Sequence, residues 1–346
     1  MQNININIIN NINIINNNNI MKILLLVDMY NWSFHNIAKK IKSHITKYTF
    51  DIISTCDFYN NIRDILPNKY DIFVFFFPSP SFTDKQLDFI KKFNNSKIYF
   101  CLYENFIWRK INKIPSLQDQ RINTYNKIKF WLNSSDGYFY ASPHIKKSLK
   151  KNFKTFPKPN DYCMDGVDTK IFKFKEYKND ILTKKILKIG WIGDSNPKVS
   201  GIQKGYREIK QYIEDLSGNF DFCPLDKQIK QIPHNEVPEY IHNIDIIVCY
   251  STCEGTPNQI LESSSCGRCW VSTDVGIVSE VYNTFDNNPT GIIIKKDEES
   301  FKSSLMKLYN NRQLIIDYGE NGRKAIEKKW DWKDRLETFK KMFEMN

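Results

Sequence analysis

Short, continuous apolar runs alternate with amphipathic stretches along most of this chain, and the alternation starts over halfway through. KILLLVD (22–28) is followed by a helical pattern with Ile37, Ala38, Ile41 and Ile45 on one face. TFDIIS (49–54), YDIFVFFF (70–77), KIYFCL (97–102) and GYFYA (137–141) are further runs, with helical segments near 83–93 and 117–133 between them. Strands that are apolar throughout, rather than at every second position, are those of a parallel sheet covered on both faces. After the charged stretch KFKEYKNDILTKK (173–185) the pattern restarts with LKIGWIG (187–193) and a helix presenting Tyr206, Ile209, Ile213 and Leu216. NFDFCPL, IDIIVCY (244–250), CWVSTDV (269–275) and TGIIIKK (290–296) continue it. The reading is α/β, with two doubly wound Rossmann-like domains facing a cleft, 21–172 and 187–327, joined by a linker at 173–186. Such a cleft binds ligands at the carboxyl ends of the strands, which points to a nucleotide.

Other features narrow the class. Residues 1–20 hold ten Asn, eight Ile and no charge, and read as a low-complexity, disordered extension with no signal-peptide grammar. No apolar run approaches the roughly 18 residues of a membrane span. With 50 Lys plus Arg against 39 Asp plus Glu, the formal charge is +11. That suits an anionic partner such as a nucleotide, but no nucleic-acid reader motif is present, so no specific nucleic acid is expected. Eight cysteines without a signal peptide indicate reduced thiols and a cytoplasmic setting. Cys249, Cys253, Cys266 and Cys269 have a zinc-like spacing, yet they sit in apolar, strand- and helix-like surroundings without Gly-rich knuckles. They are read as packing thiols, with no metal expected.

The chemistry concentrates in YSTCEGTPNQILESSSCGRCWVSTDVG, from Tyr250 to Gly276. Thr256 fits an N-cap, Pro257 the first helical position, and Gln259 completes a capping-box spacing, so a helix is expected to start just after Gly255. Its free N–H groups and positive dipole end suit a diphosphate. Glu262 lies four residues beyond Asn258 on the same helical face, and Glu254 sits in the loop before it. Carboxylates repel phosphates and bind hydroxyls, so these two suit sugar and ribose OH groups.

That segment resembles the E-x7-E region of retaining glycosyltransferase family 4, of GT-B fold. Glu254-Gly255-Thr256-Pro257, Leu261-Glu262, Cys266-Gly267, Trp270-Val271, Thr273-Asp274-Val275-Gly276 and Ser279-Glu280 carry the match. DGVDTKIF (165–172), Lys204-Gly205, PEYIHNIDIIVCYS (238–251) and KKWDWKDRLETFKKMF (328–343) extend it from about Asp165 to the end. The resemblance implies that residues 328–346 form a helix returning to the N-domain. It implies a metal-independent transferase without a cofactor, moving a sugar with retention from a UDP- or GDP-type donor to an acceptor glycan, lipid or protein. Glu254 would stabilise the oxocarbenium-like sugar and Glu262 would hold the ribose. Lys204 would neutralise the diphosphate, and the backbone at Gly255, Thr256, Pro257 and Asn258 would line sugar and phosphate.

The sequence also departs from that pattern. Where relatives carry Arg after the strand ending at Gly193, this chain has Asp194-Ser195-Asn196-Pro197, which leaves Asn196 as the donor-side hydrogen-bonding group. The Gly-rich first loop is replaced by Met29-Tyr30-Asn31-Trp32-Ser33. In place of the N-domain histidine stands Leu102-Tyr103-Glu104-Asn105. Trp32, Ser33, Tyr103 and Glu104 are the candidates for the acceptor side, while His144 is read as a surface-helix residue. These departures motivate the alternative of a non-catalytic sugar-nucleotide-binding or assembly protein. Residues 143–154 form a stripe of Ile145, Leu149 and Phe153 amid lysines. Such a helix either turns its stripe to the core or rests peripherally on an anionic membrane.

Overall fold

A computed structural model describes residues 20–65, 70–76, 90, 96–103, 129–152, 161–197, 200–216, 218–285 and 288–345. The expectations for residues 1–19, for most of the 83–93 and 117–133 helices, and for Glu104 and Phe153 therefore fall outside the described residues. The chain divides into two compact units, Met1–Tyr99 and Phe100–Asn346. The first sheet has the order β2-β1-β3-β4-β5-β6, and the division falls inside β4. Its strands are β1 (Lys22–Val27), β2 (Thr49–Ser54), β3 (Ile72–Phe75), β4 (Lys97–Leu102), β5 (Gly137–Tyr140) and β6 (Asp161–Tyr162). β1 pairs in parallel with both β2 and β3, so Ile23 to Val27 are fully buried, which is why the run is apolar without alternation.

The turn after β1 forms without a glycine. Asn31 takes the left-handed conformation, φ 63°, which Asn tolerates better than most residues, and its N–H donates to His35 Nδ1 at 2.8 Å. Trp32 is then the N-cap of the helix Ser33–His44, whose Ile37, Ala38 and Ile41 are buried.

The second sheet has the order β11-β10-β9-β7-β8, with β7 (Leu187–Gly193), β8 (Phe220–Asp226), β9 (Ile246–Cys249), β10 (Cys269–Thr273) and β11 (Ile292–Ile294), every pair parallel. Side chains alternate between two cores. Ile246, Val248, Cys269 and Val271 face one, while Ile247, Cys249 and Trp270 face the other. The stretch read as a linker is strapped to this sheet. Tyr177 Oη donates to the Asp245 carbonyl and accepts from Cys269 N, and the buried Arg268 donates to the Lys175 carbonyl at 2.6 Å. The terminal helix Trp332–Glu344 docks on the DGVD segment: Val167 N donates to Trp330 O and Trp332 N to Val167 O. Gly166 allows this approach, since a Cβ there would stand 2.9 Å from Trp332 Cα.

Candidate functional site

At the carboxyl ends of β7 and β9, two residues distant in sequence form an ion pair. Lys204 Nζ lies 2.7 Å from Glu254 Oε1, and the same oxygen accepts from Ser251 Oγ at 2.8 Å. Both side chains are mostly buried, 24% exposed for Lys204 and 13% for Glu254. Burial works against the Lys204 ammonium, but Glu254, Cys249 and Asp194 outweigh it, so its pKa is raised and it stays a cation. The loop carrying Glu254 is fixed from the Lys204 side. Gln203 Nε2 donates to the Cys253 carbonyl at 2.6 Å, and Thr252 N donates to the Gln203 carbonyl at 2.8 Å. Thr273 Oγ1 donates to the Ser251 carbonyl, tying in the end of β10. The arrangement offers a cation and an anion side by side, each held before any ligand arrives.

The helix after this loop runs Asn258–Ser265, with Pro257 as its N-cap and no side-chain cap. It therefore starts later than the Thr256 cap and capping box predict. Pro257 has ψ 87°, outside the helical range, and Gln259 Oε1 accepts from Ile192 N of β7 instead of turning back to the cap. The loop is kept extended by close approach of glycines. A Cβ on Gly276, which has φ 60°, would meet the Gly255 carbonyl at 2.5 Å and Pro257 Cδ at 2.7 Å. The helix is buried although its sequence is polar, because its hydroxyls are matched. Ser263 Oγ donates to Ile260 O, Ser265 Oγ donates to Phe172 O, and Ser264 Oγ accepts from Trp270 Nε1. Glu262, on this helix, has His234 Nε2 at 2.9 Å from its Oε1. Sequence reasoning missed His234, because nothing within its own turn marks a partner 28 residues away.

Tyr103 meets the Glu254 loop through its main chain: a Cβ on Gly255 would lie 2.7 Å from the Tyr103 carbonyl oxygen. Its hydroxyl is already committed, donating to Asp165 Oδ1 at 2.6 Å. Burial pushes the Asp165 carboxyl up to about 7, against the Tyr103 bond and the nearby Thr256 hydroxyl, which favour the charged form. An unfolded Asp titrates near 4, so between about pH 4 and pH 7 the folded chain holds a proton that the unfolded chain has lost. The folded state therefore loses stability as pH rises through that window, by up to about 4 kcal/mol. Asp165→Asn keeps an acceptor for Tyr103 and removes the titration. Urea midpoints should show the variant gaining on the wild type between pH 5 and pH 8, and parallel profiles would refute the assignment.

The loop after β7 is built around two carboxylates. Asp194 Oδ1 accepts from Asn196 N at 2.9 Å and from Gln228 Nε2 at 2.7 Å, while the buried Asp226 accepts from Ser195 N and Gln228 N. Asp194 thus shapes the turn that presents Asn196. Trp32 and Ser33 lie in the first unit, at the start of their helix. In the Pro143–Asn152 helix, Ile145 and Leu149 are buried, so the stripe faces the core. Cys249 and Cys266 belong to one core of the second sheet and Cys269 to the other. Among the described residues no helix is long and apolar enough to cross a membrane.

Residues 210–325 match the family described as glycosyl transferases group 1. Two uncharacterized glycosyltransferases of Methanocaldococcus jannaschii are similar to the chain. One is 26% identical over 58% of this chain and 47% of its own length, the other 25% identical over 63% and 62%. The chain thus spans about half to three-fifths of these relatives. Among solved structures, sucrose-phosphate synthase from Thermosynechococcus elongatus superposes with TM-score 0.68 at 11% identity, covering 93% of this chain and 98% of that one. Anabaena HepE in complex with UDP and glucose gives 0.65 at 10% identity, covering 94% and 100%. The fold is GT-B.

Proposed function

We propose that this chain is a retaining glycosyltransferase that moves a sugar from a UDP- or GDP-sugar to an acceptor. The observation that carries the reading is the Lys204–Glu254 pair, held in place at the start of a helix without a side-chain cap. Departure of a nucleoside diphosphate leaves an anion and a cationic sugar. Lys204 and the helix terminus serve the anion, and Glu254 serves the sugar. Gly255, Thr256, Pro257 and Asn258 line sugar and phosphate, Asn196 adds a donor-side contact, and Glu262 holds the ribose. Trp32, Ser33 and Glu104 are assigned to the acceptor side, with Tyr103 shaping the Glu254 loop from behind. Because the leaving-group charge is met by Lys204, the reaction needs no metal. The UDP bound to HepE supports the donor class, and the matched family supports transfer.

The test is thermal shift across UDP- and GDP-sugars, followed by product NMR with the donor that binds. One nucleotide sugar should raise the melting temperature, turnover should persist in EDTA, and the product should keep the donor's anomeric configuration. Absence of any stabilising nucleotide sugar would sink the reading. Binding without transfer or slow donor hydrolysis would favour a binding protein instead.

A further inference from the structure

Glu262 has a side-chain partner. His234 Nε2 sits 2.9 Å from Oε1, and the carboxylate makes no other hydrogen bond among the described residues. The two differ in exposure: the His234 side chain is 46% exposed and that of Glu262 only 11%. The imidazole is thus the solvent-exposed partner of a mostly buried carboxylate. Its ring is held edge-on against Phe172, centroids 5.1 Å apart at 61°. Phe172 is itself immobilised, 1% exposed, with its N–H donating to the Asp168 carbonyl and its carbonyl accepting from Ser265 Oγ and Arg323. Ser265 belongs to the same helix as Glu262, so one rigid body fixes both the carboxylate's backbone and the imidazole's ring.

We propose that His234 is a positioning residue for Glu262, and that the pair makes the site selective for a ribose over a 2′-deoxyribose nucleotide. A Glu side chain has three rotatable bonds, and ordering it costs entropy that a ligand must otherwise supply. With Oε1 tied to His234, the carboxylate plane is set before binding, and Oε2 is left to accept from a vicinal diol. A hydroxyl matched to a preset charged acceptor is worth more than one that must organise its partner, and its loss is correspondingly felt. The partner chemistry is a ribonucleoside diphosphate, and the inference rests on the proposed donor site.

The probes are UDP with 2′-deoxy-UDP, and GDP with 2′-deoxy-GDP, titrated calorimetrically against wild type, His234→Ala and His234→Gln. Wild type should prefer the ribose form by about 10-fold or more, as for a hydrogen bond to a charged group. His234→Ala should lose most of that preference and raise donor KM by a similar factor, with kcat nearly unchanged and an unaltered melting temperature. His234→Gln, whose amide nitrogen can stand near Nε2, should recover much of the preference. A structural role for His234 would lower stability and weaken both ligand forms equally, which would overturn the proposal. So would a wild type that binds UDP without discriminating, or a His234→Ala protein that discriminates as well as wild type. Failure of wild type to bind any of the four ligands would instead take down the donor site itself.

Discussion

Glu254→Gln is expected to lower kcat by about 10²-fold, as for loss of one electrostatic stabiliser, while donor KM stays close to wild type. The amide keeps the shape of the side chain, and its oxygen can still accept from Lys204 Nζ and Ser251 Oγ, which reach Oε1 at 2.7 and 2.8 Å. What it removes is negative charge. That charge matters little to a neutral sugar in the ground state and much to the cationic one that forms as the diphosphate leaves. Interactions that strengthen only at the transition state appear in kcat and not in binding. Gln203 and Thr273 still hold the loop, but the mostly buried Lys204 ammonium loses its counter-charge, so the melting temperature should fall. Steady-state kinetics and product NMR make the measurement. A variant with wild-type kcat, or a wild-type product of inverted anomeric configuration, would sink the mechanism.

Much of this fold is legible in the sequence for a single physical reason. Central parallel strands such as β1 and β9 are buried on both faces, so they appear as unbroken apolar runs of strand length. The two catalytic candidates are legible in part: resemblance singles out Glu254 and Lys204, and the structure brings them together. Capping-box reasoning is local and places the helix start too early, whereas the 254–257 loop is shaped by Gly276 and Tyr103 from far along the chain. Gln259 illustrates the point, since its side chain serves β7 and not its own helix. Asp165 and His234 were out of reach for the same reason. Their significance comes from Tyr103, 62 residues away, and from Glu262, 28 residues away. The 165–172 segment backs both carboxylates, through Asp165 behind the Glu254 loop and Phe172 beside the His234–Glu262 pair. No periodicity or spacing within the segment records that double duty.

Lys204→Met should lower kcat/KM by about 10²- to 10³-fold, since it removes the cation that we propose meets the leaving diphosphate. Methionine keeps most of the aliphatic stem, so packing against the loop is largely preserved. The charge removed has two jobs, however. In the absence of donor it neutralises Glu254, whose side chain is 13% exposed and whose other bond to Oε1 comes from the neutral Ser251 hydroxyl. Without Lys204 a mostly buried carboxylate is left short of a counter-charge, a situation that destabilises a folded chain more than removal of the whole pair. The two substitutions should therefore not combine independently. If they acted separately, the Lys204→Met/Glu254→Gln protein would lose the product of the single losses, about 10⁴- to 10⁵-fold. Because Glu254 works with full effect only opposite a neutralised leaving group, the double variant should fall within about 10-fold of the worse single one. It should also melt above Lys204→Met alone, as the stranded charge is gone. Kinetics and melting curves of the four proteins test both expectations. A fully multiplicative loss would show that cation and anion act separately, and a double variant less stable than Lys204→Met would show that the pair is not the electrostatic unit its geometry indicates.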